Sequence, residues 1–214
     1  MRSLQIAIIA VFAAIIYLLS TTVSNYISYP ILPYLKFDPA EIVIILSLFL
    51  FGPAIAIILS VLHFILLHFP STQYPIIGPG LKLLAELSTV FAAYLAFSFS
   101  KSRDIRVRLV YSLLLALVFR NLVMTLANYV ILMTLFSGAV DYFYQGIATI
   151  TGLSATSFTD KLFLILVFTA VYNSIHVFIS ILPAFVISIV PSMPQIVAPI
   201  SKHWLYSMMQ RNGK

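Results

Sequence analysis

Two long apolar segments carry polar side chains whose spacing could form a binding surface. The first set is Asn121, Thr125 and Asn128, and the second is Thr169, Asn173, His176 and Ser180. Residues spaced by three or four positions lie on one face of a helix, so each segment is predicted to turn a polar stripe towards the interior of a bundle. Buried amide and imidazole groups need hydrogen-bond partners, so such stripes either bind a ligand or hold helices together.

Charged side chains occur inside other apolar segments. Lys82 and Glu86 are one helical turn apart with Thr89 below them, so the pair either neutralises itself near the outer surface or contributes to a site. Arg120 lies near the middle of its segment, where an unpaired charge is costly. Glu86 is the one acidic residue predicted at comparable depth, and it is expected closer to the outside. No partner is therefore predicted for Arg120.

The sequence has no motif typical of catalysis or of metal binding. His63 and His68 are five residues apart, about 140° around a helix, so they do not share a face and are not predicted to bind a metal. The chain has no cysteine, which excludes thiolate ligands and thiol nucleophiles. It has no phosphate-binding loop of the G-x-x-x-x-G-K-[ST] type and no nucleophile elbow. Neither an enzyme nor a bound cofactor is predicted.

The composition indicates that these segments lie in a membrane. Of the 214 residues, 62% are hydrophobic and 8% are charged, whereas a soluble domain is about a quarter charged. The apolar runs are long and unbroken, unlike the roughly ten-residue alternating strands of an outer-membrane barrel. The sequence therefore predicts an all-α integral membrane protein. The basic residues behind the net charge of +6 cluster at 101–108 and in the tail, as cytoplasmic anchors do, and do not indicate a nucleic-acid surface.

The number of membrane spans depends on a break at Gly52-Pro53. Predicted helices cover residues 4–23, 40–69 with that break, 81–99, 109–136 and 162–190. The part before the break is about 18 Å long, short of a roughly 30 Å apolar core. A continuous segment gives five helices, whereas a turn at the break gives six.

The charge pattern favours six helices, because both termini and the basic loop then share the cytoplasmic side. The first helix is predicted to be retained and not cleaved as a signal peptide. Residues 1–190 are predicted to form one transmembrane substrate-binding domain, and residues 191–214 a basic cytoplasmic or interfacial tail.

Five stretches of the sequence, in order, are similar to motifs of one known family. They are PILPYLKFDPAEI at 30–42, LFLFGP at 48–53, LAELSTV at 84–90, MTLANYVIL at 124–132 and YNSIH at 172–176. On these stretches the chain resembles the substrate-binding S components of energy-coupling factor (ECF) transporters, specifically the riboflavin-binding type, over about residues 5–185.

The resemblance implies a six-helix fold with both termini inside and a vitamin pocket that opens outwards and is closed by the loop after the first helix. The ligand-binding residues that it implies are Lys36, Asp38, Glu86, Thr125, Asn128, Asn173 and His176. The outer loops also carry aromatic rings that could cover a flavin, namely Tyr29, Tyr34, Phe37 and Tyr74. The implied function is high-affinity binding of riboflavin for an ATP-driven importer.

The resemblance also implies partners. Ala10 and Ala14 match the alanine motif through which the first helix docks on a transmembrane coupling subunit. Such a small-x-x-x-small pair lets another helix approach closely, although packing within this chain explains it equally well. Two ATPase subunits would complete the transporter and hydrolyse the ATP, and the chain is expected in the cell (plasma) membrane.

Two alternatives stay open. His176 stands where the family carries a lysine, and Thr89 where it carries an asparagine. An S component for another small water-soluble vitamin or precursor is therefore the alternative within the family. A membrane scaffold or assembly subunit, whose polar stripes only hold helices together, is the alternative from another class.

Overall fold

The computed structural model describes residues 3–69, 76–100, 102, 104–198 and 203–211. It is all-helical, as predicted, apart from an isolated antiparallel bridge between Ser28 and Lys36. The α-helices, numbered in chain order, are α1 Ser3–Leu18, α2 Ala40–Phe51, α3 Pro53–Leu66, α4 Ile77–Phe99, α5 Ile105–Thr134, α6 Val140–Thr151, α7 Phe158–Ser188, α8 Met193–Val197 and α9 Trp204–Arg211.

Among the described residues, four helical segments are long and apolar enough to cross a membrane. They are Ser3–Tyr26, Ile77–Phe99, Ile105–Thr134 and Phe158–Ser188. The first of these extends α1 through a π-helical turn at Leu19–Val23 and a 3₁₀ turn at Ser24–Tyr26. A π-helical turn inserts an extra residue per turn and is frequent at functional sites. Here it contains the buried Ser20.

The chain reverses direction between α2 and α3. Gly52 has φ +93°, a left-handed conformation that favours glycine, and Pro53 begins α3. Asp38, just before α2, lies 3.9 Å from His63 near the end of α3, measured between Oδ2 and Nε2. A continuous helix would separate these positions by about 37 Å. The two short helices are therefore antiparallel arms of a hairpin.

A short amphipathic helix, α6, occupies part of the segment that the sequence analysis predicts to be a loop up to Lys161. That prediction is wrong, because Val140–Thr151 is helical and α7 already begins at Phe158. Only Val140 and Ile147 are buried in α6, and these two residues are two helical turns apart on one face. A single buried stripe among polar residues is a weaker sequence signal than a fully apolar span.

Two apolar clusters divide the bundle, and α7 passes through both. The first cluster packs residues of α1 to α4 against the second half of α7, including Val177 and Phe185. The second packs the loop at 27–39 and α6 against the first half of α7, including Leu162 and Tyr172. The stretch of α7 between them, residues 173–176, carries the polar side chains of the candidate site.

The described part of the tail packs against the hairpin. The ring of Trp204 lies against the turn, where a Cβ added to Gly52 would be 3.0 Å from Trp204 Cδ1. Leu205 is buried, and the buried Arg108 of α5 donates to the backbone oxygen of Met208 at 3.2 Å. The predicted domain boundary at residue 190 stays a prediction.

Candidate functional site

A layer of buried polar side chains lies between the two apolar clusters. Every long helix and the loop at 27–39 contribute to it, and its members form two groups that touch through Asp38. The first, here called the Arg120 cluster, consists of Glu41, Thr89, Arg120, Asn173 and His176. The second, here called the His63 cluster, consists of Ser20, Asp38, His63, Lys82 and Glu86.

Arg120 forms the centre of the first cluster and is only 2% exposed. Its guanidinium pairs with the carboxylate of Glu41 and donates to Thr89 Oγ1 at 3.0 Å. Its Nε donates to Asn173 Oδ1 at 3.0 Å, and its Nη2 lies 2.9 Å from His176 Nδ1. A buried guanidinium with these four partners satisfies both its charge and its donor geometry.

Glu41 is the partner that the sequence analysis does not find for Arg120. The statement that Glu86 is the one acid at comparable depth is therefore wrong, because Glu41 is 2% exposed at the start of α2. In the sequence Glu41 is the second residue of the predicted helix at 40–69, directly after a proline-rich loop, so its position indicates the end of a span and not its middle. The hairpin at Gly52 makes α2 short, so even the first turn of α2 reaches the middle of the bundle.

The tautomer of His176 follows from its neighbours. Arginine has donors only, so Nδ1 of His176 accepts from Arg120. In a neutral ring Nε2 then carries the hydrogen, and it faces the backbone oxygen of Asp38 at 3.4 Å and Glu41 Oε2 at 3.5 Å. His176 thereby connects the Arg120 cluster with the loop at 27–39.

The His63 cluster joins α1, the loop, α3 and α4. Asp38 accepts from Ser20 Oγ and pairs with Lys82, which also donates to Ser20 Oγ at 3.3 Å. The imidazole of His63 bridges Ser20 Oγ and Glu86 Oε1, each at 2.6 Å. Lys82 and Glu86 thus bind different partners, and the expectation that they neutralise each other is not met.

One carboxylate oxygen of the His63 cluster is unused. Glu86 is 1% exposed, and its Oε2 has no hydrogen-bond partner within the described part of the chain. A buried carboxylate oxygen without a donor is costly, so this atom has the capacity to accept one more hydrogen bond. The partly exposed side chain of Lys82, at 25%, marks the side from which this cluster is closest to solvent.

The side-chain contacts run from Ser20 to His63 to Glu86, as they run from serine to histidine to acid in a hydrolytic triad. However, the hydroxyl of Ser20 donates to Asp38, and the residue is only 7% exposed. Its oxygen is therefore held by a carboxylate and an ammonium and is not positioned as a nucleophile.

The loop at 27–39 folds down onto the polar layer. Backbone bonds from Tyr29 N to Leu35 O and from Phe37 N to Ile27 O, both 2.8 Å, shape it into a compact turn. The hydroxyl of Tyr172 on α7 donates to the backbone oxygen of Lys36 at 2.6 Å. Gly146 of α6 allows the loop to approach, since a Cβ there would lie 2.9 Å from Ile31 O.

Aromatic rings lie directly beside the polar layer. The ring of Phe37 is centred 4.9 Å from that of Tyr172 and 5.7 Å from that of His176, and Tyr29 packs on both Phe37 and Tyr172. Tyr34 is 41% exposed and packs on Phe143 of α6 instead. Tyr74, the fourth predicted aromatic, lies outside the described residues.

The structure brings together four of the seven predicted ligand-binding residues and places the other three elsewhere. Asp38, Glu86, Asn173 and His176 belong to the polar layer. Lys36 is exposed and its Nζ donates to Asn25 Oδ1 at 2.7 Å. Asn128 is buried and donates to Met124 O of its own helix at 2.7 Å. Thr125 lines a groove of about 510 Å³ on the lipid-facing side of α5.

The predicted polar stripe on α5 therefore differs from the observed one. The inward-facing residues are Arg120, Met124 and Asn128, spaced by four. Asn121 and Thr125 lie one position further round and border the outer groove, where Asn121 donates to Ser174 of α7 at 2.9 Å. Spacing alone does not distinguish these two neighbouring faces. An arginine inside a membrane needs a partner within the bundle, so Arg120 could have shown which face turns inwards.

Ala10 and Ala14, the predicted docking residues, are exposed on α1. The opposite face of that helix carries the buried Ile9 and Ile16, which join the first apolar cluster. The alanine pair does not pack within the described part of this chain, which leaves it available to a helix of another protein. No group of three or more histidine, aspartate or glutamate residues able to hold a metal occurs among the residues that the structure describes.

Comparison with known proteins identifies the family. The family model described as "ECF transporter, substrate-specific component" matches residues 4–190. A solved structure described as "Structure and mechanism of the S component of a bacterial ECF transporter" is similar to this chain, with 25% sequence identity and a TM-score of 0.56. The match covers 82% of this chain and 96% of that one. The search of curated proteins gives no match. The chain belongs to the family of substrate-specific components of ECF transporters.

Proposed function

We propose that this substrate-specific component binds riboflavin with high affinity and delivers it to an ATP-driven importer. The observation that carries the proposal is the closure of the loop at 27–39 over the buried polar layer. Four of the residues that resemble ligand contacts of the riboflavin-binding type, Asp38, Glu86, Asn173 and His176, meet under this loop. A few directed polar groups beside an apolar and aromatic surface are typical of a small-molecule site.

The chemistry of the layer suits a flavin. An isoalloxazine ring is flat and apolar, and its imide edge has one N–H donor between two carbonyl acceptors. The rings of Tyr29, Phe37 and Tyr172 offer an aromatic surface, and Glu86 Oε2 offers an acceptor that no described side chain occupies. Opening of the loop would admit the ring between the aromatic residues and the His63 cluster.

The hairpin of α2 and α3 supports a six-span topology with both termini in the cytoplasm. Four segments are long enough to cross alone, and the two arms of the hairpin add one short crossing each. In that arrangement the basic residues around Arg106 and the tail lie on the same side, as the positive-inside rule requires. The expected location is the plasma membrane.

Membership of the family implies association with an ECF module, made of a transmembrane coupling subunit and ATPase subunits, and a small-molecule substrate. The exposed Ala10 and Ala14 on α1 are the proposed contact with the coupling subunit. Two ATPase subunits would provide the ATP hydrolysis for which this chain has no phosphate-binding loop.

A second candidate is another small water-soluble vitamin or precursor. The observation in its favour is that Arg120 uses Asn173 Oδ1 and His176 Nδ1, two groups expected to contact a flavin. A ligand bound mainly by the His63 cluster would then need fewer polar edges than riboflavin has.

The absorption spectrum of the protein purified in mild detergent tests the proposal, followed by titration with riboflavin. A yellow preparation with a flavin spectrum, or saturable quenching of riboflavin fluorescence by the colourless protein, is the expected result. A colourless preparation that does not bind added riboflavin would move the substrate to the second candidate, while the family assignment would stand.

A further inference from the structure

A groove of about 510 Å³ lies between the end of α4 and the start of α5, and it is here called the Val107 groove. Its apolar lining includes Leu95, Phe99, Val107, Tyr111 and Leu115. The rings of Phe99 and Tyr111 are largely exposed, so the groove is open to the surroundings of the two helices. From Val107 to Leu115 it extends about 12 Å along α5, most of the roughly 15 Å apolar depth of one leaflet. These dimensions and this lining suit an acyl chain.

The end of the groove nearest to the loop between α4 and α5 is polar. Ser102 lies in that loop and contributes to the lining. Its Oγ accepts from Asp104 N at 3.1 Å, and its own hydroxyl hydrogen has no acceptor among the residues that the structure describes. The groove therefore ends at a hydroxyl donor that an anionic oxygen could use.

The same loop carries a surplus of positive charge. Residues 101–108 contain four basic side chains and one acidic side chain, a net charge of +3. The acid, Asp104, accepts from Arg106 N as the N-cap of α5. Within the described part of the chain neither Arg106 nor Arg108 forms an ion pair. The exposed Arg106 is next to Val107 in the chain, so its charge is available beside the groove.

Arg108 adds a buried cation without a carboxylate. Its Nε donates at 2.7 Å to the backbone oxygen of Ser102, which lines the groove. Its Nη1 donates to the backbone oxygens of Phe97 and Met208, and its Nη2 has no partner among the described residues. Carbonyl oxygens satisfy hydrogens but leave the charge uncompensated. A buried charge without a counter-charge is costly, so an anion held at the loop would stabilise this end of the bundle.

A second groove on α5 provides an internal comparison. It is the groove at Thr125 described above, here called the Val118 groove, and it also has a volume of about 510 Å³. Its lining includes the apolar Val118, Leu122 and Leu126, and none of the described residues that line it is basic. Either groove has room for an acyl chain, whereas the Val107 groove alone of the two lies beside cations.

We propose that the Val107 groove binds an anionic phospholipid of the adjoining leaflet, with one acyl chain in the groove and the phosphate at Ser102 and Arg106. Basic residues at a membrane surface attract anionic lipids, by about fivefold in affinity for each residue. The apolar lining holds the chain and the cations select the headgroup. This inference concerns the lipid-facing surface and does not depend on which vitamin binds.

Native mass spectrometry of the full-length protein in detergent tests the headgroup preference. The protein is titrated with phosphatidylglycerol, which is anionic, and with phosphatidylcholine, which is zwitterionic, both with the same acyl chains. We expect one phosphatidylglycerol to bind at least tenfold more tightly than phosphatidylcholine. Equal affinity for the two lipids would overturn the proposal. Glycerol 3-phosphate has the anion without the chains and should not displace the lipid, and displacement by it would show that the groove has no part in binding.

A matched pair of variants tests the position of the lipid. Val107 and Val118 are both exposed on α5, and each lines one of the two grooves. Val107→Trp fills the first groove and should weaken phosphatidylglycerol binding at least tenfold. Val118→Trp fills the second and should leave this binding unchanged. Wild-type binding in Val107→Trp, or equal weakening in both variants, would contradict the assignment to the Val107 groove.

Arg106 tests the headgroup contact without filling the groove, and it serves even if Val107→Trp does not fold. Arg106→Gln removes an exposed charge, so we expect phosphatidylglycerol to bind about fivefold more weakly and phosphatidylcholine to be unaffected. Arg106→Lys keeps the charge and should bind as the wild type does. An undiminished preference for phosphatidylglycerol in Arg106→Gln would show that the phosphate does not lie at Arg106.

Discussion

The Arg120 cluster and the His63 cluster are neighbours in one polar layer, yet they are built differently. No buried side-chain nitrogen or oxygen of the Arg120 cluster lacks a partner among the described residues, and its members come from helices alone. The His63 cluster includes the loop residue Asp38, the partly exposed Lys82 and the unpaired Glu86 Oε2. The first cluster is therefore closed on itself and joins helices, whereas the second keeps an unused acceptor and a partly exposed cation at its edge.

The largest expected effect comes from breaking the Arg120 cluster. Arg120→Met leaves Glu41 as an unpaired buried charge, so we expect the free energy of unfolding to fall by about 3–5 kcal/mol. Thermal unfolding in detergent measures the loss. The control is the double variant Arg120→Met, Glu41→Met, which removes both charges and should recover most of the stability. A double variant as unstable as the single one would show that the pair is not the main interaction of the cluster.

The next effect distinguishes binding from stability. In Glu86→Gln the side-chain oxygen still accepts from His63, but the group at the unpaired position becomes a donor. We expect riboflavin affinity to fall by about 10- to 100-fold, the scale of a charged hydrogen bond, with little change in the unfolding temperature. Isothermal titration calorimetry measures the affinity and thermal unfolding of the same sample measures the stability, so the two effects are separated. Unchanged affinity would remove Glu86 from the ligand site.

Asn128 tests whether the site extends beyond the polar layer. Its one hydrogen bond in the structure goes to Met124 O of its own helix, so Asn128→Ala should cost less than about 1 kcal/mol of stability. The resemblance to the riboflavin-binding type predicts a ligand contact here and hence about tenfold weaker riboflavin binding. Wild-type affinity in this variant would confine the site to the two clusters.

The smallest effect is expected at Lys82. Its side chain is 25% exposed, and it shares Asp38 with Ser20, so Lys82→Met should weaken closure of the loop by at most about 1 kcal/mol. We expect riboflavin to dissociate up to about fivefold faster, measured by stopped-flow fluorescence, with an unchanged association rate. A much larger effect would mean that Lys82 contacts the ligand itself.

The sequence predicts the fold class and most of the polar layer, because buried polar residues stand out in apolar segments. It predicts a break at Gly52-Pro53 from residue type and the turn there from the charge pattern, and it predicts His176 and Asn173 from helical spacing. It cannot predict which charges pair, since Arg120 and Glu41 are 79 positions apart and no local pattern relates them. For His63 the sequence predicts only that it does not bind a metal together with His68, because its contacts depend on the hairpin that brings it next to Asp38.

Errors of the sequence analysis also have physical causes. The sequence predicts no helix between residues 136 and 162, because a helix such as α6 with one buried stripe resembles a polar linker in composition. Thr125 was placed with Asn128 because the positions are less than one helical turn apart. Arg120 decides which of the two adjacent faces of α5 turns inward, because an unpaired arginine in a membrane is more costly than an unpaired threonine.

The distribution of the polar layer along the chain has a consequence for biogenesis. Ser20, Asp38, Glu41, His63, Lys82 and Glu86 are all synthesised before Arg120, and α7, 138 residues after Asp38, delivers Asn173 and His176 last. Until α5 is inserted, Glu41 lacks the arginine with which it pairs, and until α7 is inserted, Arg120 lacks Asn173 and His176. A chain truncated before α5 therefore holds the carboxylate of Glu41 without its partner at the level of the lipid tails, where an unpaired charge is costly.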